Sequence, residues 1–148
     1  MTALDLTTQP PRPCRAELDG IIYLPRAIDK VRATLPGGNI GAYFNLNPDV
    51  NTLSQLFYRR MGISHEEFTA AVASAEDDAA VVSWLRGRID DAAVEKFTRQ
   101  LLGIKLGALS EDTRAAMRRY QPDTMDASSD ETLVIDVLDA DDIASFAR

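Results

Sequence analysis

The sequence is poor in the residues that carry most covalent and metal chemistry. It contains one cysteine, Cys14, and one histidine, His65, among 148 residues. A single cysteine excludes an internal disulfide, and nothing in its usage indicates an oxidising compartment. Catalytic triads and the common metal centres depend on histidine or on clustered cysteines. The chain therefore predicts no metal site, no cofactor and no recognisable catalytic residue.

Long apolar runs are also missing. The longest unbroken runs are four residues each, at 21–24, 70–73 and 79–82, whereas a helix that spans a bilayer needs about 20. The first 15 residues lack the basic region and the apolar stretch of a signal peptide. We therefore expect a cytoplasmic protein with no membrane partner.

Positive charge is scarce where a nucleic-acid-binding protein would need it. The net charge is −7, and residues 121–148 hold one arginine against eight carboxylates, while the rest of the chain is close to neutral. Residues 51–75 have the pattern of two helices joined by a tight turn, but the second helix begins His65-Glu66-Glu67. Carboxylates at the end that would enter a DNA groove repel phosphates. We expect no nucleic-acid partner.

Helical periodicity covers most of the chain. Hydrophobic residues make up 45% of it, which is enough for a packed core at this length. Ser64 to Glu67 form a capping box, in which His65 is only the first helical residue. The aspartate pairs at 77–78 and 90–91 are typical of helix starts rather than of catalytic carboxylates. The spacing predicts a mainly α, compact single domain of six to eight short helices with an extended proline-rich N-terminal arm.

Composition divides this one domain into four segments. The motif PPRPCR favours a polyproline conformation, so residues 1–23 are predicted to form an extended arm packed on the domain. Residues 24–120 form the helical body, 121–129 a polar linker, and 130–148 an acidic segment that is helical and packed. For residues 132–138 a strand is the alternative, and the spacing favours a helix.

The first helix of the body carries an unusual number of charges. Apolar residues from Leu24 to Leu35 fall at i, i+3, i+4, i+7 and i+11, which forms one stripe on a helix. The sequence around Pro36 ends it. The charged residues of this helix lie off the stripe, so they are predicted to form its solvated face. They are Arg26, Asp29, Lys30 and Arg32.

Several short motifs in residues 4–43 match one family. They are Asp5-Leu6, Pro10-Pro11-Arg12, Arg15, Leu18, Gly20, Leu24-Pro25-Arg26, Ile28-Asp29-Lys30, Arg32-Ala33, Gly41 and Tyr43. With them the chain resembles a bacterial family known as domain of unknown function 5069. The likeness is specific over residues 4–43 and diffuse beyond them. It implies a small bacterial protein and carries over no activity.

Two interpretations of the charged residues in these motifs remain open. If the arm folds back on the helix, its arginines converge near Tyr23 and form an anion pocket with an aromatic wall. The candidate ligand-binding residues are Arg12, Arg15, Arg26 and Tyr43. Alternatively, the arginines pair with Asp5, Asp19 or Asp29 and lock the arm to the domain. The structural lock is favoured.

These observations favour a non-enzymatic binding or interaction module that uses its first forty residues. Its partner is a protein or a small anionic ligand, and Pro10-x-x-Pro13-x-Arg15 fits a proline-rich ligand pattern. The alternative is an enzyme acting on a small phosphorylated or carboxylated metabolite held by the arginines. A third hypothesis makes the acidic tail a docking segment for a basic partner. Formation of a homo-oligomer is left open.

Overall fold

Eight α-helices make up most of the structure. A computed structural model describes residues 1–47 and 51–147. In chain order the helices are α1 (Leu24–Arg32), α2 (Leu53–Met61), α3 (His65–Ser74), α4 (Asp78–Arg86), α5 (Asp91–Leu101), α6 (Glu111–Tyr120), α7 (Pro122–Asp126) and α8 (Val134–Phe146). A single 3₁₀ turn at Leu106–Ala108 precedes α6. The prediction of a mainly α fold with six to eight short helices is confirmed.

Local sequence signals set the helix starts as expected. The Ser64 hydroxyl accepts a hydrogen bond from the Glu67 N–H at 3.0 Å, and the Glu67 carboxylate accepts one from the Ser64 N–H at 2.8 Å. Asp77 and Asp90 cap α4 and α5 by accepting hydrogen bonds from backbone N–H groups three residues further on. Each cap satisfies a donor that the helix itself leaves unpaired.

The N-terminal segment contains a hairpin that the prediction of an extended arm missed. Strands β1 (Glu17–Leu18) and β2 (Ile21–Ile22) pair antiparallel. The two residues between them, Asp19 and Gly20, both have positive φ, at 51° and 73°. That geometry belongs to a type I′ turn, for which Asp-Gly is a preferred pair. The hairpin delivers the chain directly into α1.

Aromatic rings form the centre of the main core. Phe57 on α2 is surrounded by the rings of Tyr23, Phe68 and Phe97, at centroid distances of 6.1, 5.7 and 5.5 Å. A second, smaller apolar cluster joins the turn before α6 to the C-terminal helices. Its buried members are Leu106, Met125, Val134 and Val137. The two clusters hold α1, α2 and α8 around the candidate site described below.

The C-terminal third is more helical than expected. Residues 122–126, within the stretch predicted as a linker, form α7. The helix favoured for 132–138 begins at Val134, while Leu133 forms a single antiparallel bridge with Lys105. Arg148, the last residue of the predicted acidic segment, lies outside the described residues. Within residues 1–47 and 51–147, no helix combines the length and apolarity needed to cross a membrane.

The prediction of a solvated charged face on α1 was wrong. Arg26, Asp29 and Lys30 are only 3%, 4% and 6% exposed. The N-terminal segment lies over Asp29, where the backbone N–H of Arg12 donates to the carboxylate at 2.8 Å. The side chain of Asp142 from α8 covers Arg26. Apolar periodicity within α1 identified one buried stripe, but segments distant in sequence bury the polar face too.

Candidate functional site

A cavity of about 270 Å³ lies between α1, α2, α6 and α8, beside residues 42–47. Most of its surface is apolar, and aliphatic side chains from several elements contribute to it. They include Leu53, Leu56, Ile104, Leu109, Met117 and Leu138. Tyr120 also lines it and is 42% exposed, so the cavity reaches the surface beside that ring. Small-molecule sites are commonly apolar concavities with a few polar groups, and this cavity has that composition.

Helices α1 and α8 contribute four charged residues to the lining. Arg26 and Lys30 are four residues apart on α1, which places them one above the other on the same face. Tyr23 stands at the start of the same helix, and α8 contributes Asp141 and Asp142. These five ionisable groups are therefore held close to apolar walls, where the effective dielectric constant is lower than in water.

Arg26 is already neutralised by a carboxylate. Its Nη1 donates to Oδ2 of Asp142 at 2.6 Å, and the hydroxyl of Tyr43 donates to Oδ1 of the same carboxylate at 2.7 Å. The Arg26 guanidinium also lies 5.6 Å from the centroid of the Tyr43 ring. Burial of Tyr43 and its hydrogen bond to Asp142 raise the pKa of the phenol. These three groups form one internally paired unit.

Lys30 has no such partner. Its Nζ donates to Oγ of Ser54 at 2.9 Å, and the hydroxyl of Tyr23 lies 3.0 Å from the same oxygen. No carboxylate oxygen lies within 4.0 Å of Nζ in the described part of the chain. Burial, with the positive charge of Arg26 as the second cause, lowers the pKa of Lys30 to about 7. Burial raises the pKa of Tyr23 to about 12, so that phenol stays neutral.

The protonation of Lys30 decides the charge of the lining. The ionisable cations in it are Arg26, Lys30 and Arg59, and the carboxylates are Asp141 and Asp142. With a charged Lys30 the formal balance is +1, in a protein whose net charge is −7. Burial and the neighbouring charge of Asp142 raise the pKa of Asp141. The cavity is thus locally favourable to one negative charge.

One more polar atom at the cavity lacks a partner. Gln121 lines the cavity, and its buried side-chain oxygen has no hydrogen-bond partner among the residues that the structure describes. A buried polar atom left unpaired costs about 1–3 kcal/mol.

Two of the four residues predicted as an anion pocket are among the residues that line the cavity. Arg26 and Tyr43 line the cavity, whereas Arg12 and Arg15 do not. Arg12 donates to Asp29 at 2.9 Å and to Asp78 at 2.6 Å. This contact ties the N-terminal segment to α1 and α4.

Arg15 pairs with Asp136 on α8 at 3.0 Å, and both side chains are about half exposed. Three acids were considered for a structural lock. Of these, Asp29 pairs with an arginine of the N-terminal segment, Arg12. Asp5 instead accepts hydrogen bonds from Thr7, and Asp19 pairs with Arg86. The arginines of the N-terminal segment are thus matched by acids from three different helices.

The sequence analysis did not predict that Lys30 is buried without a carboxylate partner, nor that the hydroxyls of Ser54 and Tyr23 lie beside it. The spacing of Arg26 and Lys30 was a usable signal, because two cations one turn apart repel unless something separates or neutralises them. Nothing local pointed to Ser54 or Asp142, which lie 24 and 112 positions after Lys30.

The fold and cavity together define a small, mainly helical domain with a ligand-sized cavity beside a buried lysine. The chain belongs to the family described as Domain of unknown function (DUF5069), which matches residues 8–144. This match confirms the resemblance seen in the first forty residues. Comparison with curated proteins gives no match. In the described ranges, no group of three or more histidine, cysteine, aspartate or glutamate side chains is placed to hold a metal ion.

Proposed function

We propose that this protein is a binding module for a small organic monocarboxylate with an apolar body, taken up in the cavity beside Lys30. One observation carries the proposal: Lys30, a buried amine with no carboxylate partner among the described residues, borders a cavity whose surface is mostly apolar. The groups that would recognise the carboxylate come from α1, within the first forty residues. The proposed role is binding rather than catalysis.

The head of the ligand is specified by Lys30. A carboxylate beside it forms the ion pair that the described residues do not supply, and it stabilises the charged form of the amine. A second anionic group would be unfavourable, because Asp141 and Asp142 line the same cavity and like charges repel. A carboxylate therefore fits better than a phosphate dianion.

The tail of the ligand is specified by the walls. Apolar surface removed from water contributes about 25 cal/mol per Å², and the aliphatic side chains of α2, α6 and α8 provide such surface. A branched chain of about five or six carbons has the size and polarity of this space. A small polar acid without a tail would forgo that contribution and bind weakly.

Isothermal titration with 4-methylpentanoate tests the proposal. The matched probe is 4-methylpentanamide, which has the same shape without the charge, and inorganic phosphate tests for a simple anion site. We expect the carboxylate to bind at least tenfold more tightly than the amide and to raise the melting temperature. Equal binding of acid and amide, or tighter binding of phosphate, would contradict the proposal.

A pair of lysine variants localises the binding. Lys30→Met removes the amine and keeps the length of the side chain, so the preference for the acid over the amide should disappear. Lys105→Met is the matched control, because Lys105 is exposed, pairs with Glu131 and is not one of the residues that line the cavity. That variant should bind the acid like the wild type.

A further inference from the structure

We propose that Lys30 forms a reversible imine with ligands that carry a carbonyl group beside their carboxylate, namely 2-oxo acids with an apolar side chain. This inference rests on the proposed function, because it places the carbonyl compound in the same cavity. It adds a covalent step and narrows the class of ligand.

The surroundings of Lys30 suit a nucleophilic amine. The side chain is 6% exposed and lines the cavity, so Nζ is sheltered from bulk water while its side chain faces ligand space. A charged ammonium has three N–H donors, and the described residues provide one hydrogen-bond acceptor for it, Ser54. A neutral amine has only two donors and a lone pair, so it fits this environment better.

The electrostatics point in the same direction. Among the described residues, the charges that act on the pKa of Lys30 are those of Arg26 on its own helix, Cys14 in the N-terminal segment and Asp142 on α8, and the neutral phenol of Tyr23 lies behind Ser54. Burial and the charge of Arg26 outweigh the opposite influence of the other two, and the pKa of Lys30 falls to about 7. At neutral pH about half of these amines are deprotonated, compared with roughly one in a thousand or fewer for an exposed lysine. Desolvation beside another cation is a known means of activating a lysine.

The reaction balances without any further reagent. The lone pair of neutral Nζ attacks the carbonyl carbon, and the carbonyl oxygen takes up a proton to give a carbinolamine. The hydroxyl group then leaves as water, and both amine hydrogens are lost in the overall conversion of amine and ketone to imine and water. No atom is oxidised or reduced.

Two hydroxyls are placed to move the protons of this step. Ser54 Oγ lies 2.9 Å from Nζ, and the phenol oxygen of Tyr23 lies 3.0 Å from Ser54 Oγ. The chain of three groups leads from the amine to a phenol that remains protonated at neutral pH. Once formed, a protonated imine retains a positive charge directly beside the carboxylate of a 2-oxo acid.

Borohydride trapping tests the inference on the wild-type protein. The chain contains three lysines, Lys30, Lys96 and Lys105, so peptide mapping by mass spectrometry assigns every adduct. The probe is 4-methyl-2-oxopentanoate at pH 7, reduced with cyanoborohydride. We expect one adduct per chain, located at Lys30 and formed at least 100-fold faster than at Lys96 or Lys105. Equal labelling of the three lysines, or none at Lys30, would overturn the inference.

Failure of this inference is distinguishable from failure of the proposed function. Binding of 4-methylpentanoate without trapping of the 2-oxo acid keeps the binding function and rejects the imine. Trapping at Lys30 without binding of 4-methylpentanoate keeps the imine and rejects the monocarboxylate-binding function. Absence of both rejects both.

Variants add a test of the proton path. Lys30→Arg should abolish the adduct. If that variant does not fold, peptide mapping of the trapped wild-type protein still shows whether the adduct is at Lys30. Ser54→Ala retains the amine but breaks its link to Tyr23, so trapping should slow at least tenfold and its dependence on pH should change, whereas Ser54→Thr, which keeps the hydroxyl, should restore most of the rate. An unchanged trapping rate in Ser54→Ala would remove Ser54 and Tyr23 from the step.

Discussion

Arg26 and Asp142 form an ion pair that joins the first helix to the last, with 2.6 Å between Nη1 and Oδ2. Both side chains are less than 10% exposed. A guanidinium held in this way is already matched by a charge of opposite sign, so an incoming anion gains less from it. The pair therefore shapes the cavity, and the buried cation of the lining without a carboxylate partner among the described residues is Lys30.

The first prediction concerns this pair. Asp142→Ala leaves a buried guanidinium without its carboxylate, and such an unpaired buried charge costs about 3–5 kcal/mol. The variant also removes the acceptor for the Tyr43 hydroxyl. We expect the free energy of unfolding, measured by urea denaturation, to fall by at least 3 kcal/mol.

The matched control is Asp136→Ala, also on α8. Asp136 pairs with Arg15, but both partners are about half exposed, and such surface pairs contribute about 0–1 kcal/mol. We expect a loss below about 1 kcal/mol. Similar losses in the two variants would show that burial of the Arg26 pair has no special importance.

Local patterns were sufficient to predict the helical body. The caps at Ser64, Asp77 and Asp90 depend on contacts between residues three apart, and such contacts are visible in any short window of sequence. The hairpin was also visible in principle, because Asp19-Gly20 is a turn signal between apolar residues. The neighbouring motif PPRPCR favours an extended conformation, which is why the sequence predicted an extended arm there.

The candidate site depended on contacts that no local pattern contains. Arg26 and Lys30 lie off the apolar stripe of α1, which is where exposed charges are usually found. Their burial is decided by Ser54 on α2 and Asp142 on α8, far along the chain. Opposite charges can pair in many ways in a sequence with 16 cations and 23 acids, so the actual partners require the tertiary structure.

A second prediction concerns the thiol of Cys14. The residue is fully buried, and burial raises the pKa of its thiol to about 12. Because the thiolate is the reactive form, we expect less than one tenth of the native protein to react with a disulfide reagent at pH 8 in the time that urea-unfolded protein reacts completely. Rapid reaction in the native state would place Cys14 among accessible nucleophiles.

A third prediction concerns the dependence of stability on pH. An unfolded lysine stays protonated to about pH 10.4, whereas folded Lys30 releases its proton near pH 7. Between these values the unfolded chain holds one more proton, so the contribution of Lys30 to stability rises with pH, by at most about 1.4 kcal/mol per unit. The cost of the buried charge is fully present below pH 7.

Lys30→Met isolates this contribution from the other titrating groups. The variant should exceed the wild type in stability by the largest margin at pH 6, and the margin should shrink between pH 7 and pH 9. Urea denaturation of both proteins at pH 6, 7, 8 and 9 measures it, with Lys105→Met as the surface control. A margin that is constant with pH would mean that Lys30 titrates alike in both states.

The fourth prediction joins the lysine to ligand binding. If a carboxylate binds to the charged form of Lys30, binding must shift that amine towards protonation. The dissociation constant of 4-methylpentanoate should then be constant between pH 6 and 6.5 and should rise by up to tenfold per unit above pH 7. At pH 8 binding should take up about one proton, since the free protein has lost most of it.

Titration calorimetry in two buffers with different ionisation enthalpies measures that proton directly. Lys30→Met should show neither the proton uptake nor the rise in dissociation constant, and the neutral amide should show neither with the wild type. Proton uptake that persists in Lys30→Met would assign the titrating group to Asp141, whose pKa burial also raises. The carboxylate would then bind by a different contact, because an acid that takes up a proton relieves repulsion rather than forming an ion pair.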